Sequence, residues 1–176
     1  MRFSDGIKSF SLKCLKGIKP NKKNERSSYF KILIVGGSQG ASFFDNSIKQ
    51  VISEFSIKKK TFILQQVSNE EKKEEIKKTY DLLRINYELF SFDENLYKKM
   101  QDVDLAITRC GASTLSDLVY YNIPFIGIPF PHAKDNHQYY NGKYFFDLNC
   151  CWPVSYTHLR AHETRHDLVC RLLLEK

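Results

Sequence analysis

The stretch Pro124-Phe-Ile-Gly-Ile-Pro-Phe130 contains no polar side chain. A strand that is apolar at odd and even positions alike has to be covered on both faces. Parallel sheets flanked by helices meet that requirement. The run empties into a polar loop in which His132, Asp135, His137 and Gln138 crowd together. Just upstream, residues 105–107 form a second apolar run that stops at Thr108-Arg109. Gly111 then supplies a turn, and Ser113 or Thr114 is placed to cap the helix that follows. Ligands of open parallel sheets sit at the carboxyl ends of the strands. Both polar clusters fall there, so residues 104–138 hold the candidate site.

The same grammar recurs earlier. Phe30-Lys-Ile-Leu-Ile-Val35 reads as a strand, and Gly36-Gly-Ser-Gln-Gly40 follows without a gap. Glycines let the backbone approach a bound group, and a helix from about Ala41 aims its N-terminal amides and positive dipole end at that group. The loop is neither GxGxxG nor a Walker sequence, since no Lys follows. An anion site and a tight structural turn both fit it.

The remaining elements alternate. Helix 41–54 carries Phe44, Ile48, Val51, Ile52 and Phe55 on one face, and Lys58-Lys-Lys60 turns into strand 61–66. Ser68 or Asn69 caps a charged helix, 70–82, with i, i+4 Glu–Lys pairs outside and Ile76, Tyr80 and Leu83 inside. Strand 86–92, a short helix 94–101 and strand 104–108 lead to the elements above, and helix 135–147 follows them. This spacing predicts an α/β fold, a doubly wound parallel sheet with right-handed crossovers.

Composition sets the outer bounds. With 176 residues and 42% hydrophobic content, the chain suits one globular domain. No apolar run is long enough to cross a bilayer, and Met1-Arg-Phe-Ser-Asp-Gly lacks the apolar centre of a signal peptide. Cys14, Cys110, Cys150, Cys151 and Cys170 form no CxxC pair and read as inert thiols of a reducing cytosol. The net charge of +7 is local, because residues 1–31 carry nine Lys and Arg against Asp5 and Glu25. This basic arm, with an amphipathic segment near Ile7, reads as a solvated linker; a nucleic-acid or membrane contact rests on charge alone.

The last stretch changes character. Residues 154–176 hold three of the five histidines, and His158, His162 and His166 share i, i+4 spacing, as in a metal-binding helix. However, Val154-Ser-Tyr-Thr-His-Leu-Arg-Ala-His-Glu-Thr164 resembles the in-frame translation of a transposon adapter used in short-read sequencing. The segment 167–176 resembles the primer region that follows. Residues 154–176 are therefore read as a non-native tail and set aside from the fold. On that reading the native domain continues past Pro153.

Three stretches resemble one family when taken together: Ile34-Val-Gly-Gly-Ser-Gln-Gly-Ala41, Thr108-Arg-Cys-Gly-Ala-Ser-Thr-Leu-Ser-Asp117, and Pro129-Phe-Pro-His-Ala-Lys-Asp-Asn-His-Gln138 with Asn141. They are similar to the C-terminal domain of the MurG family, bacterial UDP-N-acetylglucosamine transferases that make lipid II. The resemblance runs from about Phe30 to Pro153. It implies one Rossmann-like half of a two-domain GT-B glycosyltransferase. Residues 1–29 are then an incomplete interdomain arm, and 30–153 the UDP-sugar-binding domain.

The resemblance further implies roles. Ser38 and the amides of Gly36, Gly37, Gln39 and Gly40 face the nucleotide diphosphate, and the main chain at Phe92 and Asp93 meets the uracil. Gly111, Ala112, Ser113 and Thr114 open a helix whose N-terminus joins the phosphate site. Asp117 takes the ribose hydroxyls from a position where the family usually carries Glu; being a methylene shorter, it implies a longer or water-bridged contact. Asp135, His137 and Gln138 read the sugar. Arg109 faces a phosphate or pairs with an acidic neighbour. His132 shapes its loop. At Gln65-Gln-Val-Ser68 relatives commonly show His-Gln followed by Gly, which leaves the role of this loop open.

The implied reaction is inverting transfer of GlcNAc from UDP-GlcNAc to lipid I, without a metal or other cofactor. The acceptor and the catalytic base belong to an N-terminal domain, so no catalytic residue is assigned here. The implied setting is peripheral, on the cytoplasmic face of the bacterial inner membrane, with no nucleic-acid partner. Two alternatives stay open: the nucleotide-sugar subunit of a split GT-B transferase, and a UDP-GlcNAc epimerase-like domain.

Overall fold

A computed structural model describes residues 28–48, 52–53, 60–148 and 151–153. Its framework is a six-stranded sheet in the order β3-β2-β1-β4-β5-β6. The strands are β1 (Phe30–Val35), β2 (Thr61–Gln66), β3 (Asn86–Phe90), β4 (Leu105–Thr108), β5 (Phe125–Gly127) and β6 (Cys151–Pro153). Every neighbouring pair is parallel, with Ile32 opposite Ile63 on one side and Leu105 on the other. Between them lie α1 (Gly37–Ser47), α2 (Glu70–Leu82), α3 (Leu96–Met100), α4 (Ala112–Tyr120) and α5 (His137–Asp147).

Strand pleating divides the interior in two. Ile32, Ile34, Ile63, Leu105 and Ile107 point to one face, where Phe44 of α1 and Ile76 and Tyr80 of α2 cover them. Leu33, Val35, Leu64 and Ala106 point to the other, against Met100 of α3 and Leu115 and Leu118 of α4, with Phe145 of α5 partly buried beside them. Phe145 meets Phe125 edge-on at 6.1 Å. The expected doubly wound sheet is therefore present, and β5 is buried throughout as its composition requires.

Local details differ from expectation. Helix α1 starts at Gly37 and not near Ala41, so the glycine loop forms its first turn. Gly111, in extended conformation, is the N-cap of α4, which places Ser113 inside the first turn. Asn69 caps α2, its Oδ1 accepting from the Lys72 amide at 2.8 Å. Ser68 is drawn away because both its amide and its hydroxyl donate to the buried Asp45 Oδ2, at 3.1 and 2.6 Å. The charged pairs along α2 are i, i+3 rather than i, i+4: Glu70 with Lys73, Lys72 with Glu75, Glu74 with Lys77. Ile76 and Tyr80 are buried as expected, but Leu83, at the C-cap where the chain leaves the helix, is exposed. Strand β3 ends at Phe90, and residues 91–93 become a loop. Val51, Phe55, Lys58, Lys59, the basic arm and the 154–176 tail lie outside the described residues.

Cys110 sits where three elements converge. A Cβ built on Gly127 of β5 would lie 2.9 Å from its sulfur, and one on Gly142 of α5 would lie 3.0 Å away. Burial pushes the Cys110 and Cys151 thiols up to about 12, so neither is a nucleophile at neutral pH. Gly127→Ala should destabilise the domain by about 1–3 kcal/mol through overpacking. Cys110→Ala should recover much of that loss in a double-mutant cycle read by urea denaturation. Purely additive effects would show that the sulfur is not the obstruction.

Candidate functional site

Strands β1 and β4 are neighbours whose connections leave in opposite directions, and the crevice beyond their carboxyl ends is where such sheets bind ligands. Three loops meet this edge, after β1, β4 and β5. A fourth, residues 91–95 after β3, lies further along.

The loop after β1 holds Gly37 at φ +68°, a conformation that favours glycine. Gly36, the N-cap of α1, has no side chain to accept the helix's first amides. Gln66, the last residue of β2, does so instead. Its Oε1 accepts from the Gly36 and Gly37 amides at 3.2 and 3.0 Å. Two of the amides expected to face a diphosphate are thus already engaged.

Arg109 at the end of β4 is only 5% exposed. Its Nη1 donates to the carbonyls of Ile128 and Pro129, at 3.3 and 3.1 Å. The guanidinium lies 3.9 Å from the Phe43 ring centroid, with Phe44 and Phe130 on its flanks. Neither expected partner, a phosphate or a carboxylate, is needed to explain this placement: carbonyl oxygens and aromatic faces both attract a buried cation. Arg109 thereby joins β4, α1 and the loop after β5.

The polar loop is held at several points. Gln138 Oε1 accepts from the Phe130 amide at 2.9 Å, which directs its Nε2 elsewhere. His137 Nδ1 donates to the Lys134 carbonyl at 2.7 Å. In the neutral ring that leaves Nε2 as an acceptor on an exposed side chain. Asp135 and Asn136 both take left-handed conformations, at φ 51° and 52°. Asn141 Nδ2 donates to the Cys110 carbonyl at 3.1 Å, tying α5 to the turn after β4. His132 packs edge-on against Phe130, in keeping with a loop-shaping role. On α4, Ala112, Ser113 and Asp117 are exposed, and Thr114 is half-buried.

In the loop after β3, Phe92 is 79% exposed. Asp93 is held by Lys99, and its Oδ1 accepts from the Asn95 amide at 2.8 Å. Those two contacts, Lys99 first, keep its carboxyl below the usual carboxylate range. Lys99 also pairs with Glu88 of β3. With its side chain committed, Asp93 offers a ligand its main chain.

Sequence reasoning missed Gln66, Asn141, Lys99 and Phe43 as organising residues. The signal for Gln66 was present: a pair of glutamines closing a strand at its carboxyl edge, directly after Phe62-Ile-Leu64.

The strand order and the loops at the β1/β4 crossing define a Rossmann-like domain of the GT-B kind. The chain belongs to the glycosyltransferase family 28 C-terminal domain family, which matches residues 31–171 and so runs into the stretch set aside above. One relative, from Rickettsia bellii, is 42% identical over 134 residues, covering 74% of this chain and 37% of its own length. Another, from Pelagibacter ubique, is 39% identical over 165 residues, covering 87% and 46%. Both are named UDP-N-acetylglucosamine–N-acetylmuramyl-(pentapeptide) pyrophosphoryl-undecaprenol N-acetylglucosamine transferase. The chain spans less than half the length of these relatives. The crystal structure of Acinetobacter baumannii MurG shares the fold, with a TM-score of 0.72 at 22% identity, over 88% of this chain and 45% of that one. Among the described residues, no helix is long and apolar enough to cross a membrane.

Two outcomes test this geometry. Arg109→Lys keeps the charge but loses the planar fork, and should cost about 1–3 kcal/mol of stability in denaturant melts; an unchanged midpoint would show that the carbonyl contacts carry no weight. Lys99→Met should raise the Asp93 carboxyl towards its ordinary value in an NMR titration. The sign follows from linkage: a depressed folded pKa stabilises above the unfolded value, and that contribution is lost as pH falls through the folded one. An unmoved titration would leave the Asn95 amide as the sole cause.

Proposed function

We propose that this chain is the donor-binding half of an inverting glycosyltransferase that moves GlcNAc from UDP-GlcNAc to lipid I, the lipid-linked muramyl-pentapeptide, in peptidoglycan synthesis. The observation that carries the reading is 42% identity over 134 residues to a relative named for that transfer. The residues offer suitable chemistry. As the glycosidic bond breaks, negative charge builds on the β-phosphate of the departing UDP. Amides at the N-termini of α1 and α4 stabilise such charge through hydrogen bonds and the helix dipoles. In this reading the main chain at Phe92 and Asp93 takes the uracil, Asp117 the ribose, and Asp135, His137 and Gln138 the sugar. Gln138 Nε2 and His137 Nε2 supply a donor and an acceptor for hydroxyl groups. In this reading the acceptor is lipid-linked, so the protein works at a membrane surface, which we place at the cytoplasmic face of the inner membrane. No base for the acceptor hydroxyl is assigned to these residues.

The 176-residue chain should bind UDP and UDP-GlcNAc in isothermal titration calorimetry and release no product with lipid I. Gln138→Ala should weaken UDP-GlcNAc roughly tenfold, the scale of one or two hydrogen bonds, while leaving UDP unchanged. Equal losses for both ligands would remove the sugar assignment. Transfer to lipid I by the chain alone would overturn the division of labour.

A further inference from the structure

Gln66 makes three hydrogen bonds in two directions. Its Oε1 accepts from the Gly36 and Gly37 amides at 3.2 and 3.0 Å, and its Nε2 donates to the Ser91 carbonyl at 3.2 Å. The orientation of the carboxamide is fixed by its partners, because amide N–H groups only donate and a backbone carbonyl only accepts. The side chain starts from a rigid position. Gln66 is opposite Phe90 in the β2–β3 register, and the next amide, Val67, donates to the Phe90 carbonyl at 2.9 Å. Strand β2 lies between β1 and β3, so one residue at its end reaches the loops that follow both neighbours.

We infer that Gln66 is a positioning residue of the donor site, fixing the glycine loop after β1 at a set distance from residues 91–93 after β3. The inference rests on the reading above, in which the first loop takes the diphosphate and the second the base. Two groups of one rigid ligand need their binding loops held at one spacing. A carboxamide suits the task because it presents an acceptor and a donor a fixed distance apart. Glutamate at this position would lack the donor, and lysine the acceptor. The engaged amides also narrow the phosphate site. The first turn of a helix leaves several amides without intrahelical acceptors. Those of 36 and 37, held by Gln66, are then not open to the diphosphate.

The test uses two variants of the 176-residue chain, amide hydrogen exchange, and calorimetry with UDP and CDP. Gln66→Leu removes all three bonds and should raise exchange roughly tenfold at residues 36–37 and in the 91–93 segment. Gln66→Glu keeps an acceptor for the glycine amides but faces the Ser91 carbonyl with none of its hydrogens. It should loosen 91–93 while 36–37 stay protected. A general loss of stability would not split the two segments in this way. In wild type UDP should bind more tightly than CDP, and Gln66→Leu should bring that ratio towards one. Unchanged exchange in Gln66→Leu, parallel loosening of both segments in Gln66→Glu, or an equal loss for both nucleotides would each overturn the inference. If wild type binds neither nucleotide, the donor-site reading fails, whereas the exchange pattern still decides whether Gln66 holds the two loops together.

Discussion

Ile32 and Ile34 face one core and Leu33 and Val35 the other, all within a single strand. A strand buried on both sides leaves no polar face, so its neighbours must also be buried strands and helices must cover both layers. That constraint sets most of the fold. Each buried isoleucine or leucine contributes about 1.5–3 kcal/mol by leaving water. The same burial forces every connection to the rim of the sheet, where backbone polar groups still find partners. The candidate site loops are collected at one edge because all the strands of a parallel sheet end on the same side.

What holds those loops is a set of side chains reaching sideways from strand and helix ends. Arg109 gathers α1, β4 and the loop after β5; Gln66 gathers the loops after β1 and β3; Asn141 secures α5 to the turn after β4. Each spends polar groups on backbone carbonyls or amides that a loop would otherwise leave unsatisfied. Beneath Gln66 the chain repeats the device in the core, where Gln65 Oε1 accepts from the Tyr80 hydroxyl and Asp45 accepts from Ser68. The segment 65–68, whose role its sequence leaves open, is thus a double anchor, inward through Gln65 and Ser68 and outward through Gln66.

The fold was legible because its signals are periodic and local. Strands β1 and β2 and helix α2 lie where their patterns predict, and the glycine turns mark the right edge of the sheet. Helix starts were less legible. Gly36 and Gly111 act as caps with their backbones alone, so the expected side-chain caps at Ser113 and Thr114 carry no signal about where α4 begins. The i, i+3 pairs on α2 were legible on a closer count, since Glu70-Glu-Lys-Lys-Glu-Glu75 sets opposite charges three apart and only glutamates four apart. At the site, sequence pointed to the loops but not to their tethers. Arg109 stands next to a glycine turn and reads as facing a phosphate or an acidic neighbour; its contacts with two carbonyls about twenty residues away are a relation no local pattern encodes.

The consecutive left-handed residues Asp135 and Asn136 bear on how such a loop tolerates change. Non-glycine residues in that region cost of order 1–3 kcal/mol each, and Asp, Asn and Gly adopt it most readily. The choice of amino acid at these two positions is therefore narrowed by backbone shape before any sugar hydroxyl is considered. A comparison of relatives that finds Asp-Asn here would record a folding rule, with the proposed sugar contact of Asp135 superimposed on it. Backbone angles in this loop separate the two, since a substitution to glycine preserves the first and removes the second.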